Sequence, residues 1–230
     1  MEFGSWAHWF SGSASAAAVF VALGGYWFSE KQRNRDRRDR ELDAGNMIGV
    51  KLAMALNRTD DIRRHIWAPY DGPLLLGDGA EQLWRRTKPL LGLTDDTSVT
   101  LTDAEINLLI RANQHQFMMD LMLVISRYQS ISNNMREYAI RYEAMMGLMP
   151  PPSEINEGVG IHALDRAQWM KLQPYSNALE MLIQGLRAMS QENFDNARGL
   201  MPLYNPIMKK YFKRDKFMSL AVPPAPMEKE

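Results

Sequence analysis

Between Thr102 and Pro150 the chain repeats apolar side chains at steps of three and four, without a single proline. The stripe runs Ile106, Ile110, Phe117, Leu121, Val124, Tyr128, Ile131, Met135, Tyr138, Tyr142, Met145 and Met149, with Asn113 filling one slot. Such spacing keeps side chains on one helix face, and one extra four-residue step near Phe117 reads as a stutter. Thr102-Asp103-Ala104-Glu105 opens the segment as a capping box, and Pro150-Pro151-Pro152 closes it. The pattern predicts one helix of about 46 residues, roughly 69 Å long. No helix of that length is stable alone in water, so its stripe must lie against something.

A partner for it occurs later in the chain. Leu172, Tyr175, Leu179, Leu182, Leu186 and Met189 step by three and four, and Phe194, Ala197, Met201, Tyr204, Met208 and Tyr211 resume after a slip. Pro174 suits the first turn of such a helix, whereas Pro202 and Pro206 are expected to kink or break the second run. Residues 150–162 are long enough to turn the chain back antiparallel. Pairing with another chain is equally compatible with the stripe.

The N-terminal region carries a different constraint. Trp6 to Phe28 is free of formal charge over 23 residues, counting His8 as neutral. As a helix it would reach roughly 34 Å, enough for a hydrocarbon core of about 30 Å. Trp6, Trp9 and Phe10 stand at one end and Tyr26, Trp27 and Phe28 at the other, as in an interfacial aromatic belt. Lys31, Arg33, Arg35, Arg37, Arg38 and Arg40 follow at once, while only Glu2 is charged before the span. Basic flanks stay cytoplasmic, so the expected topology puts the N-terminus outside and the bulk of the chain in the cytoplasm. A cleaved signal peptide would need the basic residues first and the small ones last, the reverse of this order. Gly12 and Ala16, like Ala18 and Ala22, fall four apart, a spacing that lets helices approach closely in a bilayer.

Residues 30–41 continue as a solvated helical stem of alternating charge. Leu42, Ile48, Leu52, Leu56, Ile62 and Ile66 then form an amphipathic segment, expected to be interrupted near Asn57, where Thr59-Asp60-Asp61 offers a new cap. Residues 68–79, with Pro69, Gly72, Pro73, Gly77 and Gly79, read as loop, and Ala80 to Leu91 as a short helix. Thr97 to Leu101 is the one β-like run, too short for a sheet. Beyond Lys216, Pro223, Pro224 and Pro226 predict a frayed tail.

Chemistry is mostly excluded by what is missing. The 27 basic and 27 acidic side chains cancel, leaving no global attraction for nucleic acid. With no cysteine there is no disulfide, thiolate metal site or thiol nucleophile. His8, His65, His115 and His162 lack the Glu-x-x-His spacing of a di-iron bundle, and no phosphate-binding loop, dinucleotide fingerprint or nucleophile elbow occurs. Asp60-Asp61 and Asp95-Asp96 fall where capping explains them. No metal and no cofactor is expected. Lys209, Lys210, Lys213, Arg214 and Lys216, interleaved with Tyr211, Phe212 and Phe217, form the best surface candidate. They suit anionic headgroups, a partner or nucleic acid phosphates, or simply a helix C-terminus, and headgroups are preferred to nucleic acid because no recognised nucleic-acid motif accompanies them.

The expected architecture is all-α, with one N-terminal transmembrane helix continuing into a charged stem, then a bundle of long heptad-patterned helices. Its segments are an anchor (1–28), stem and amphipathic helix (29–67), loop with short helix (68–101), long-helix hairpin or bundle (102–217) and tail (218–230). The function expected from this layout is a membrane-tethered, non-catalytic helical scaffold or accessory subunit of a membrane complex. Its partners would be the bilayer and other membrane-protein subunits or further copies, with no nucleic acid. A membrane-perturbing or pore-associated effector, and a hydrolase with an unfamiliar site, are the alternatives.

Overall fold

The computed structural model describes residues 4–67, 82–90, 97–152, 154–156, 159–162, 164–214, 217 and 220, and surroundings of side chains only from Leu23 onward. It is a helical bundle. α1 spans Gly4–Trp67, α2 Leu83–Arg86, α3 Asp103–Arg111, α4 His115–Leu148 and α5 Arg166–Phe212. A hairpin of two three-residue strands, β1 (Glu154–Asn156) and β2 (Val159–Ile161), lies in the connector before α5 and pairs Ile155 with Gly160. Among the described residues no helix is long and apolar enough to cross a membrane. The expected span occupies the first part of α1, where the side chains of Trp6, Trp9, Phe10, Gly12, Ala16, Ala18 and Ala22 lie outside the description.

Three long helices build the core. Arg38 meets the Phe212 carbonyl, Gly45 meets Tyr204, Thr59 meets Asn193 and Trp67 meets Arg187, so α1 and α5 run antiparallel. α4 also opposes α5, and the apolar stripe read from the sequence is satisfied within the chain. One core cluster gathers Ile48, Leu52 and Leu56 of α1, Leu108 and Leu109 of α3, Phe117, Leu121 and Val124 of α4, and Phe194, Met201, Tyr204 and Met208 of α5. A second gathers Ile62, Ile66, Trp84, Ile131, Met135, Tyr138, Leu172, Leu179 and Ile183. Each fully buried Leu or Ile contributes about 1.5–3 kcal/mol of transfer free energy, enough in sum to hold helices that would melt alone.

Where one cluster gives way to the other, each long helix carries a small buried polar residue: Thr59, Ser132 and Ser190, with Asn193 beside them. Asn193 Nδ2 donates to Thr59 Oγ1 at 3.1 Å, tying α1 to α5 at one register. Sliding α5 by one turn would strand both groups among apolar neighbours, so this layer selects the alignment that the apolar residues alone would leave loose.

Several sequence expectations are corrected. The single helix from Thr102 is two helices, because Asn113 adopts a left-handed conformation (φ 54°) that asparagine tolerates better than most residues. Gln114 N–H closes onto the Leu109 carbonyl and Asn113 N–H onto that of Ile110, the paired bonds of a Schellman end. The apparent stutter is this break, and it resets the phase: α3 buries Glu105, Leu108 and Leu109, while Ile110 is exposed. The interruption near Asn57 does not occur. Asp60 instead lies inside α1, where it pairs with Arg63 and Arg64 at 2.6 and 2.7 Å.

α5 likewise runs unbroken through Pro174, Pro202 and Pro206, and Pro174 falls well beyond its first turn. All three prolines are solvent-exposed, so the carbonyls they leave unpaired lie towards water, where the loss costs least. The short helix expected over 80–91 shrinks to α2, and the β-like run from Thr97 begins as a 3₁₀ turn, Thr97–Val99. The Thr102–Glu105 capping box is present as read, and α5 opens on a second one, Asp165 with Gln168.

Two buried polar arrangements generate predictions. Lys51 Nζ lies 2.7 Å from both Glu105 Oε2 and the Thr100 carbonyl, and both side chains are almost fully buried. Lys51→Met strands the carboxylate and should cost about 3–5 kcal/mol in urea unfolding, whereas Lys51→Met combined with Glu105→Leu should cost less than that single change. The Tyr138 hydroxyl donates its one proton to the Thr87 carbonyl at 2.6 Å, with the Trp84 carbonyl sharing it at 3.1 Å, and the Tyr204 hydroxyl donates to the Gly45 carbonyl. Burial pushes both phenols well above their ordinary value. A raised folded pKa gives stability that is complete below the unfolded value, about 10, and is lost as pH climbs towards the folded one. The urea midpoint should therefore fall above about pH 10, and Tyr204→Phe should flatten that fall while lowering stability at pH 7.

Candidate functional site

The stem emerges from the bundle along α1. Every residue from Glu30 to Arg40 is exposed, including Lys31, Arg33, Arg35, Arg37, Arg38 and Arg40. Tyr26, Trp27 and Phe28 are each about two-thirds exposed, with Lys31 Nζ 5.0 Å from the Trp27 ring. With these side chains exposed, the helix rests largely on its own alternating charges. Arg37 Nε donates to Glu41 Oε1 at 3.2 Å, one such i,i+4 pair.

Glu41 marks the point where the stem enters the bundle. Its carboxylate also accepts from Arg111 Nη1 at 2.6 Å, the last residue of α3, and from the Tyr211 hydroxyl at 3.3 Å, near the end of α5. One acid thus binds three elements. Burial first, and then the adjacent Glu41 carboxylate, raise the Tyr211 phenol above its ordinary value, so it stays a neutral donor at physiological pH. A turn further in, α1 and α5 approach closely at Gly45: a Cβ there would lie 3.0 Å from the Phe212 ring and 3.3 Å from Phe217. Phe212 and Phe217 stack face to face at 5.4 Å, sealing this end of the core.

The basic cluster of the sequence sits at the same end. α5 stops at Phe212 because Lys213 turns left-handed (φ 52°), with its N–H and that of Arg214 on the Lys209 carbonyl. Lys209, Lys210, Lys213 and Arg214 are all exposed, and Lys216 lies outside the described residues. Arg38 Nη2 donates to the Phe212 carbonyl at 3.4 Å, so stem arginines and the α5 tip, some 170 residues apart in sequence, share one surface. Neither the Glu41 junction nor the Gly45 contact was singled out in the sequence. A glycine inside an amphipathic helix was the available signal for the second; the first had none.

His65 Nε2 and His162 Nδ1 each lie 2.7 Å from a backbone carbonyl, of Lys88 and Pro150, and His115 is exposed at the start of α4. Asp95-Asp96 lies outside the described residues. Among the described residues no three His, Asp or Glu side chains converge as a metal site. An open groove of about 520 Å³ lies midway along α5, at the C-terminal end of α1 beside Trp67, whose ring is covered by the Arg187 guanidinium at 3.8 Å. Its acids are engaged, Glu192 with Arg127 and Asp195 with Gln191. No family model, curated protein or solved structure matches the chain.

The junction predicts two graded effects. Glu41→Ala removes partly exposed pairs and should cost about 1 kcal/mol or less, seen as roughly fivefold faster amide exchange in the last turn of α5. Gly45→Val must push the Phe212 ring aside and should cost about 1–3 kcal/mol globally in urea unfolding.

Proposed function

We propose that this protein is a membrane-tethered, non-catalytic helical scaffold or accessory subunit, whose α1 is at once anchor, stem and core element. The observation that carries the reading is the continuity of α1 from Gly4 to Trp67. The uncharged Trp6–Phe28 stretch lies at its start, and Ile48, Leu52, Leu56, Ile62 and Ile66 near its end are core residues. A single rigid element then links the bilayer to the bundle, which suits a part that positions something at a fixed distance from a membrane. The arginine-rich flank after Phe28 favours an N-terminus outside and a cytoplasmic bundle. Support for a non-catalytic role comes from buried polar pairs that bond helix to helix, Lys51 with Glu105 and Asn193 Nδ2 with Thr59. Small residues Gly12, Ala16, Ala18 and Ala22 suit close contact with another membrane helix, from a second subunit or another copy.

The native chain has no cysteine, so single reporters can be introduced cleanly. Expressed in cells, Gly4→Cys should react with an external impermeant maleimide and Lys210→Cys should not, and the protein should resist alkaline carbonate extraction. Release by carbonate would end the tethering reading, and the reverse labelling pattern would end the topology. After gentle detergent extraction the intact assembly should contain a stoichiometric second protein or several copies. A lone monomer would contradict the scaffold.

A further inference from the structure

Resting on the tethered reading, we infer that the α5 tip is a lipid-docking surface: Lys209, Lys210, Lys213 and Arg214 bind anionic phospholipid headgroups of the leaflet bordering the stem. From Asn196 to Arg214 the chain has no acidic residue, and these four cations are exposed at its end. Among the described residues no carboxylate pairs with any of them. Favourable interaction with the α5 dipole accounts for cations in the last turn, Lys209 and Lys210, but Lys213 and Arg214 lie past the helix end.

Position selects the ligand. The Arg38–Phe212 bond sets the tip level with Arg38, ten residues or about 15 Å along α1 from Phe28. The headgroup layer extends roughly 5–7 Å beyond the hydrocarbon, which leaves a gap of about one Debye length at physiological salt. Lysine and arginine stems bridge part of that gap, and a helix tilt of about 20° brings one side of the bundle nearer still. Nucleic acid fits this surface poorly. Of its neighbouring aromatics, Phe212 is buried and stacked on Phe217, and Tyr211 is held by Glu41, which leaves these rings poorly placed for base stacking.

The test uses the full chain with Leu203→Cys, an exposed site on α5 near the tip, carrying a donor dye. It is reconstituted into vesicles of phosphatidylcholine alone or with about a third phosphatidylserine, with an acceptor on the headgroups. Energy transfer should rise with phosphatidylserine and return to the neutral-lipid value in 1 M salt, where the Debye length is about 3 Å. Replacing all four cations by Gln should weaken docking about tenfold or more, and Lys209→Gln with Lys210→Gln should give an intermediate response at an unchanged urea midpoint. Equal transfer in the two lipids, or a rise that the quadruple variant keeps, would overturn the inference. So would tip-dependent binding of a single-stranded oligonucleotide without any lipid response. Flotation with pure phosphatidylcholine vesicles reports the anchor separately. A chain that floats there yet ignores phosphatidylserine keeps its tether and loses the docking tip. One that floats only with phosphatidylserine, and not once the four cations are gone, keeps the tip and loses the tether.

Discussion

The rest of the structure depends on one constraint, that α5 must lie along α1 and α4 together. None of these helices could persist alone in water, and α5 carries the stripe that completes both core clusters, from Leu172 to Phe212. Its alignment is held at several levels: Arg187 on Trp67, Asn193 on Thr59, Tyr204 on the Gly45 carbonyl and Tyr211 on Glu41. Shifting it by a turn would break these together and leave polar groups among apolar ones. Because α1 is unbroken, whatever fixes α5 on α1 also fixes the bundle on the stem.

That arrangement explains how charge is distributed. Inside the bundle, the Lys51–Glu105 pair and the Thr59–Asn193 bond specify which helix meets which and in what register, at little net gain in stability. Outside it, stem arginines and α5-tip lysines gather at one end, where Arg38 joins them, while midway along α5 Arg187 covers Trp67 and Glu192 pairs with Arg127. That basic end beside the stem is what the lipid-docking inference uses.

Much of this was legible in the residues. Helix periodicity located the α4 and α5 core faces nearly position by position, since buried side chains on a packed helix recur every three or four residues whatever they pack against. Thr102 and Glu105 announced the start of α3 for an equally local reason. What escaped was context. Asn113 looked like a polar substitute in a long stripe because one left-handed residue changes the helix phase without changing composition. Thr59 and Asp60 read as a cap, although Asn193 and Arg63 satisfy them inside a continuous helix. Proline rules weighed Pro202 and Pro206 as breakers because the sequence does not say which carbonyls face water. The Glu41 junction joins residues 70 and 170 positions apart, beyond any local pattern.

The central claim is that α1 is one rigid rod from the stem into the core. Spin labels at Asn34→Cys and Asp61→Cys, both exposed positions, bracket the stem, the Glu41 junction and the stretch around Asn57. A continuous helix predicts a narrow distance distribution centred near about 40 Å, apart from label linkers. A shorter or broad, multi-peaked distribution would mean that the stem bends against the bundle, and the account of a fixed tether would fail.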